Sequence, residues 1–128
     1  FGWYLKKIGS ISVNRDKITK ENLGLIEKIK DSVSKSNRPI LIFPQATRVL
    51  PTDRIPFKKG VGRIYKELGI KCLPIAINSG NVWQKKNILI SKKPITISIL
   101  KPINPGIDSN IFVSTIEKNI YDELDIID

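Results

Sequence analysis

Pro39-Ile40-Leu41-Ile42-Phe43-Pro44-Gln45-Ala46-Thr47-Arg48 is a short apolar run that breaks at Pro44 into polar residues. The run is too short for a helix and reads as a strand over Pro39–Phe43, buried on both faces if its sheet is parallel. Working backwards, Asn37-Arg38-Pro39 stops a helix expected over Lys20–Lys35, with Thr19 as its cap and Leu23, Ile26, Ile29 and Val33 on one stripe. Before it, Ile11–Val13 alternates as a short strand, and residues 1–8 form an amphipathic or interfacial helix ended by Gly9. Working forwards, a Pro- and Thr-containing loop (Pro44–Pro56) leads to a helix opened by Gly60 and closed by Gly69. Cys72–Ile77 is a second buried strand, and Ile88–Ile90 and Ile95–Leu100 are two more. Asp108 or Ser109 caps a last helix carrying Phe112, Ile116, Ile120 and Leu124. Strands alternating with helices predict one α/β domain with a largely parallel sheet flanked by helices.

In such a sheet ligands gather at the carboxyl ends of strands. Three ends carry polar residues: Asn14-Arg15, Gln45-Ala46-Thr47-Arg48, and Asn78-Ser79-Gly80. Arg15 and Arg48 would project from one rim, and two planar guanidiniums make a fork for a phosphate dianion. Each Arg could instead pair with a nearby carboxylate, Asp16 or Asp53, and spacing leaves both readings open.

Composition narrows the chemistry. The 128 residues contain no histidine, which excludes any imidazole base or ligand from this chain. Methionine is absent as well, so Phe1 is not read as a natural start and a fragment lacking its N-terminal portion is expected. One cysteine, Cys72, excludes a disulfide framework and reads as a structural thiol inside its strand. No apolar run reaches the length of a membrane-spanning helix, and reduced, cytosol-facing chemistry is expected. The net charge of +10 suits a phosphorylated ligand or an anionic membrane surface; no zinc-finger or RNA-binding pattern accompanies it, and nucleic acid is not an expected partner. Trp3 and Trp83 are candidates for lipid headgroup contact, Trp83 alternatively for packing over the sheet rim. Asp122, Glu123, Asp125 and Asp128 read as a solvated acidic face.

Phe43-Pro44-Gln45-Ala46-Thr47-Arg48 resembles the Phe-Pro-Glu-Gly-Thr-Arg signature of the glycerolipid acyltransferase family, in particular its 1-acylglycerol-3-phosphate (lysophosphatidic acid) acyltransferases. Three more blocks follow the family order. Gly9-Ser10-Ile11-Ser12-Val13-Asn14-Arg15 resembles its Gly-x-Ile-Phe-x-x-Arg block, with Ser12 at an aromatic position. Phe57-Lys58-Lys59-Gly60 resembles Phe-Lys-x-Gly, and Leu73-Pro74-Ile75-Ala76 resembles Val-Pro-Val-Ala.

The resemblance implies the C-terminal portion of one acyltransferase domain over residues 1–128. The reaction would move a fatty acyl group from acyl-CoA or acyl carrier protein to lysophosphatidic acid, giving phosphatidic acid, with no cofactor. The enzyme would work at the cytoplasmic face of the cell membrane, peripheral or anchored through a preceding segment. Arg15 and Arg48 would hold the acceptor phosphate with Lys58 as a third cation; Phe43 and Pro44 would shape the strand end, and Thr47 would fix the loop. Pro74 belongs to a block tied to acyl-donor binding or to packing beneath the site. The family's His-x-x-x-x-Asp base is not in these residues, so the chain alone is expected to be inactive. Gln45 in place of Glu keeps an acceptor for a glycerol hydroxyl without the charge. Ala46 in place of Gly predicts an ordinary loop conformation there. Another acceptor (glycerol 3-phosphate, a lysophospholipid, an ornithine lipid) or a non-catalytic phosphate- or lipid-binding module are the alternatives.

Overall fold

The computed structural model describes residues 2–11, 21–36, 38–49, 52–83 and 94–127, with the side chains of 21–23 excepted. It divides into two compact units, Phe1–Leu41 and Ile42–Asp128. The expected strands at Ile11–Val13 and Ile88–Ile90, the Thr19 cap and Arg15 lie wholly or largely outside the described residues.

The first unit holds α1 (Gly2–Lys7) and α2 (Glu21–Lys35). On α2 the expected stripe buries Ile26 and Ile29 and half-buries Val33. Gly9, with φ of 83°, ends α1, and the Arg38 guanidinium donates to the Ile8 carbonyl at 3.1 Å. A cation at a helix C-terminus meets the negative end of its dipole. Nothing on α1 is buried.

The second unit is built around α3 (Lys59–Leu68) and α4 (Ser109–Ile127), with a small sheet of β1 (Ile75–Ile77) and β2 (Ile97–Ile99). Gly69 closes α3 in the left-handed conformation, φ 58°, its N–H donating to Tyr65 at 3.1 Å. Asp108 caps α4 by accepting the N–H groups of Asn110 (2.9 Å) and Ile111 (3.3 Å), and those bonds hold its carboxyl below the ordinary carboxylate range. Phe57, Tyr65, Ile103, Phe112 and Ile116 form the core, with Tyr65 stacked on Phe112 at 3.7 Å between ring centroids. The Tyr65 hydroxyl donates to the Asn104 carbonyl, so its polar end is satisfied.

The mixture of helix and strand is as expected, but the sheet among the described residues is an antiparallel pair and not a parallel one. Pro39–Phe43 forms no strand: without a partner ladder among the described residues, Leu41 and Phe43 each stand 73% exposed. The Cys72–Ile77 strand is shortened to Ile75–Ile77, because Pro74 has no N–H to donate; Cys72 makes an isolated bridge to Ile103 instead. Cys72 is half-buried, and that desolvation pushes its thiol pKa up, in keeping with a structural role. β2 keeps the Ile/polar alternation of its sequence. Ala76 and Ser98, paired in register, lie on the same face of the sheet, and Ser98 donates to Glu123 of α4 at 2.6 Å. The isoleucines point outward.

The α3–α4 contact depends on Gly62. A Cβ there would meet the Ser109 carbonyl oxygen at 2.6 Å and a Val113 methyl at 2.7 Å, and the former is backbone that cannot yield cheaply. Gly62→Ala is therefore expected to destabilise the chain by about 1–2 kcal/mol in urea unfolding, overpacking outweighing the gain in helix propensity. Gly60→Ala, whose added methyl meets nothing, should not destabilise. Equal effects at the two positions would contradict the packing described.

Candidate functional site

The segment from Pro44 to Lys58 is shut into a loop where the Lys58 N–H donates to the Pro44 carbonyl at 2.9 Å. Lys58 is also the residue that precedes α3, so the same bond ties the start of that helix to the first residue of the loop. Within the loop the Ala46 N–H donates to Phe43 at 3.0 Å, closing a turn that places Ala46 at φ 58°. The expectation of an ordinary conformation at Ala46 is thus overturned. Ala46, where the chain leaves the turn, sits in the left-handed region that suits glycine, and alanine occupies it at a cost of about 1–2 kcal/mol.

Helix α4 holds this loop from beneath. Glu117 accepts the Phe57 N–H at 2.6 Å, and the buried Phe57 ring meets Tyr121 edge-on at 5.3 Å. The Tyr121 hydroxyl donates to the Ile55 carbonyl at 2.6 Å and accepts from Gln45 Nε2 at 3.2 Å. Arg54 lies over the Tyr121 ring, 5.1 Å from its centroid, and pairs with Asp125. Asp122 pairs with Lys118, and Glu123 accepts from Ser98. The acidic end of α4 is therefore not merely solvated: Glu123 and Asp125 clamp it to β2 and to the loop.

Of the expected site residues, Pro44, Gln45 and Lys58 are brought together. Phe43, Ala46, Thr47, Arg48 and Lys58 are exposed; Pro44 and Gln45 are half-buried. The Thr47 hydroxyl makes no hydrogen bond among the described residues; there the backbone bonds and Gln45 hold the loop. Arg48 has no carboxylate partner among the described residues, and its pairing with Asp53 is not formed. The third strand end has a different use. Asn78 is buried, accepting the Thr96 N–H at 2.7 Å and donating to the Ile127 carbonyl at 2.8 Å, which leaves its side chain to structure.

Electrostatically the loop favours an anion. Arg48, Lys58 and Lys59 are exposed cations, and the first turn of α3 carries no acidic residue to offset the positive end of its dipole. Among the described residues no group of His, Cys, Asp and Glu is placed to hold a metal ion.

The model of the acyltransferase family matches residues 1–78. The chain belongs to the acyltransferase family. Among similar proteins, a 1-acyl-sn-glycerol-3-phosphate acyltransferase of Pseudomonas aeruginosa is 32% identical over 100 residues, 78% of this chain and 38% of the relative. One of Cocos nucifera is 30% identical over 98 residues (73% and 32%), and one of Saccharomyces cerevisiae 26% over 106 residues (80% and 35%). The chain spans about a third of the length of these curated relatives. No solved structure matches it.

The supports of the loop, Glu117 and Tyr121, fall beyond the residues that the family match covers. Sequence reasoning missed both. The available signal was a carboxylate and a phenol among the apolar residues of the last helix, which is weak because such helices often carry both.

Relieving Ala46 gives a direct check on the loop. Ala46→Gly removes about 1–2 kcal/mol of strain and returns about 0.4–1 kcal/mol as unfolded-chain entropy. Net stabilisation of about 0.5–1 kcal/mol is expected by urea unfolding; a loss of stability would show that position 46 does not hold a left-handed turn.

Proposed function

We propose that this chain carries the acceptor-binding part of a 1-acylglycerol-3-phosphate acyltransferase that forms phosphatidic acid from lysophosphatidic acid, with acyl-CoA or acyl carrier protein as donor. The observation that carries this reading is the closed signature loop, which presents Arg48 exposed and without a carboxylate partner among the described residues. The relatives' names support the same reaction. Arg48 with Lys58, and Arg15 by resemblance, would neutralise the phosphate and so orient the glycerol hydroxyl toward the thioester. The hydroxyl loses its proton to a base as its oxygen bonds to the acyl carbon; the carbon–sulfur bond breaks and the thiolate leaves, taking that proton from the base to become the thiol. An imidazole base for that step would come from outside these residues, which contain no histidine. The larger, mostly parallel sheet suggested by the sequence pattern belongs to this reading of the complete domain.

The test is Arg48→Ala in the intact enzyme. Loss of a charge-assisted contact of about 2–3 kcal/mol lowers kcat/KM for lysophosphatidic acid about 30- to 160-fold. A change of only a few-fold would remove Arg48 from the site. Running glycerol 3-phosphate and lysophosphatidylcholine beside lysophosphatidic acid separates the acceptors.

We also propose that the protein works at the cytoplasmic face of an anionic membrane. Support comes from α1, where Trp3 (70% exposed), Tyr4, Leu5 and Ile8 are exposed beside Lys6 and Lys7. Lys7 also lies over the Trp3 ring at 4.2 Å. Among the described residues no helix is long and apolar enough to cross a membrane. Each Lys near such a surface contributes about 1 kcal/mol. Co-sedimentation should show binding to phosphatidylcholine vesicles containing phosphatidate, weakened at least about tenfold by Lys6→Glu with Lys7→Glu. Equal binding by both chains would contradict the assignment.

A further inference from the structure

The Gln45–Tyr121–Ile55 chain has a direction. A phenol has one proton and two lone pairs. The Tyr121 proton goes to the Ile55 carbonyl at 2.6 Å, so what the hydroxyl turns toward position 45 is a lone pair, met by Gln45 Nε2 at 3.2 Å. Phe57, edge-on, and Arg54, over the face and paired with Asp125, hold the ring in place, and turning the proton toward position 45 would strip the Ile55 carbonyl of its 2.6 Å donor. We propose that Tyr121 is a positioning residue that selects the side chain at position 45: its hydroxyl accepts a donor there and rejects a carboxylate. The glutamine in a signature that elsewhere reads Glu is then matched to a tyrosine 76 residues away. With its amide nitrogen held, Gln45 keeps its amide oxygen, which makes no hydrogen bond among the described residues, to accept a hydroxyl of a phosphorylated glycerol. Only this last consequence rests on the loop being the acceptor site.

Other charges lie on the loop and on α4. Arg54, Arg48 and Lys58 of the loop favour a carboxylate at position 45, whereas Asp125 and Glu117 of α4 oppose it. The two sets compete, and the lone pair tips the outcome against a carboxylate.

The test is urea unfolding of the chain at pH 5 and pH 8 for Gln45→Glu, Tyr121→Phe and the double variant. At pH 8 Gln45→Glu should lower the folded-to-unfolded ratio about tenfold. At pH 5 the loss should be smaller. An ionised carboxylate at position 45, set opposite a lone pair, has its pKa raised in the folded state. Stability is then retained at low pH and lost as pH rises through that value, and the protonated carboxyl donates as the amide did. In the Tyr121→Phe background, which keeps the ring and its packing, Gln45→Glu should cost no more than about twofold at either pH. A cost that is the same in both backgrounds, or the same at both pH values, would overturn the pairing. Should Gln45→Glu fail to fold, the double variant must fold; its failure would also overturn it.

Binding of glycerol 3-phosphate to the same chains, followed by calorimetry, separates the two readings. Tyr121→Phe should weaken it about three- to tenfold by loosening Gln45. Coupling in stability without any glycerol 3-phosphate binding would sink the acceptor-site reading and leave the pairing. Binding without coupling would sink the pairing alone.

Discussion

The Lys58 N–H donating to the Pro44 carbonyl turns an otherwise extended polar segment into a loop with both ends on one spot. A loop of that kind has many unpaired backbone groups and no core of its own, so its shape must be imposed from outside. Helix α4 imposes it. Glu117 takes the Phe57 N–H, Tyr121 takes the Ile55 carbonyl and the Gln45 amide, and the Phe57 ring reaches into the core shared with Phe112 and Ile116. The exposed cations at the top of the loop are positioned by contacts made underneath it.

That arrangement depends in turn on how closely α3 and α4 approach. Gly62 lets the Ser109 carbonyl and Val113 come against α3, and Tyr65 stacks flat on Phe112 across the same seam. The sheet contributes on the other side. Small Ala76 and Ser98 share the face from which Ser98 bonds Glu123, and Asn78 bonds the last turn of α4. The helix that supports the signature is thereby held by α3 and by the sheet, and its acidic end is clamped by Arg54. The family match ends before α4, so the loop and the helix that supports it are separated along the chain.

Helices were legible because their cues are local. The stripe of Ile26 and Ile29, the Gly69 stop and the Asp108 cap all sit within a turn or so of the boundaries they define. Strands were not, because an apolar run such as Pro39–Phe43 becomes a strand only if a partner is present, and a proline such as Pro74 cuts pairing short. In β2 the side turned to α4 carries serine, opposite alanine of β1, because close approach favours small residues, and the isoleucines lie outside. At the candidate site, the motif blocks picked out Arg48 and Lys58, and both are exposed. The left-handed Ala46 was not, since the residue that advertises that conformation is glycine. Tyr121 and Glu117 were invisible because 76 and 60 residues separate them from their partners.

The central claim is that the loop braced by α4 is where a phosphorylated glycerol binds. Titrating isotopically labelled chain with glycerol 3-phosphate and following backbone amide resonances tests it most directly. The account predicts that shifts concentrate at Ala46, Thr47 and Arg48 and at Lys58 through Val61, while α2 stays unmoved. Shifts confined to other segments, with those residues unchanged at saturation, would contradict it.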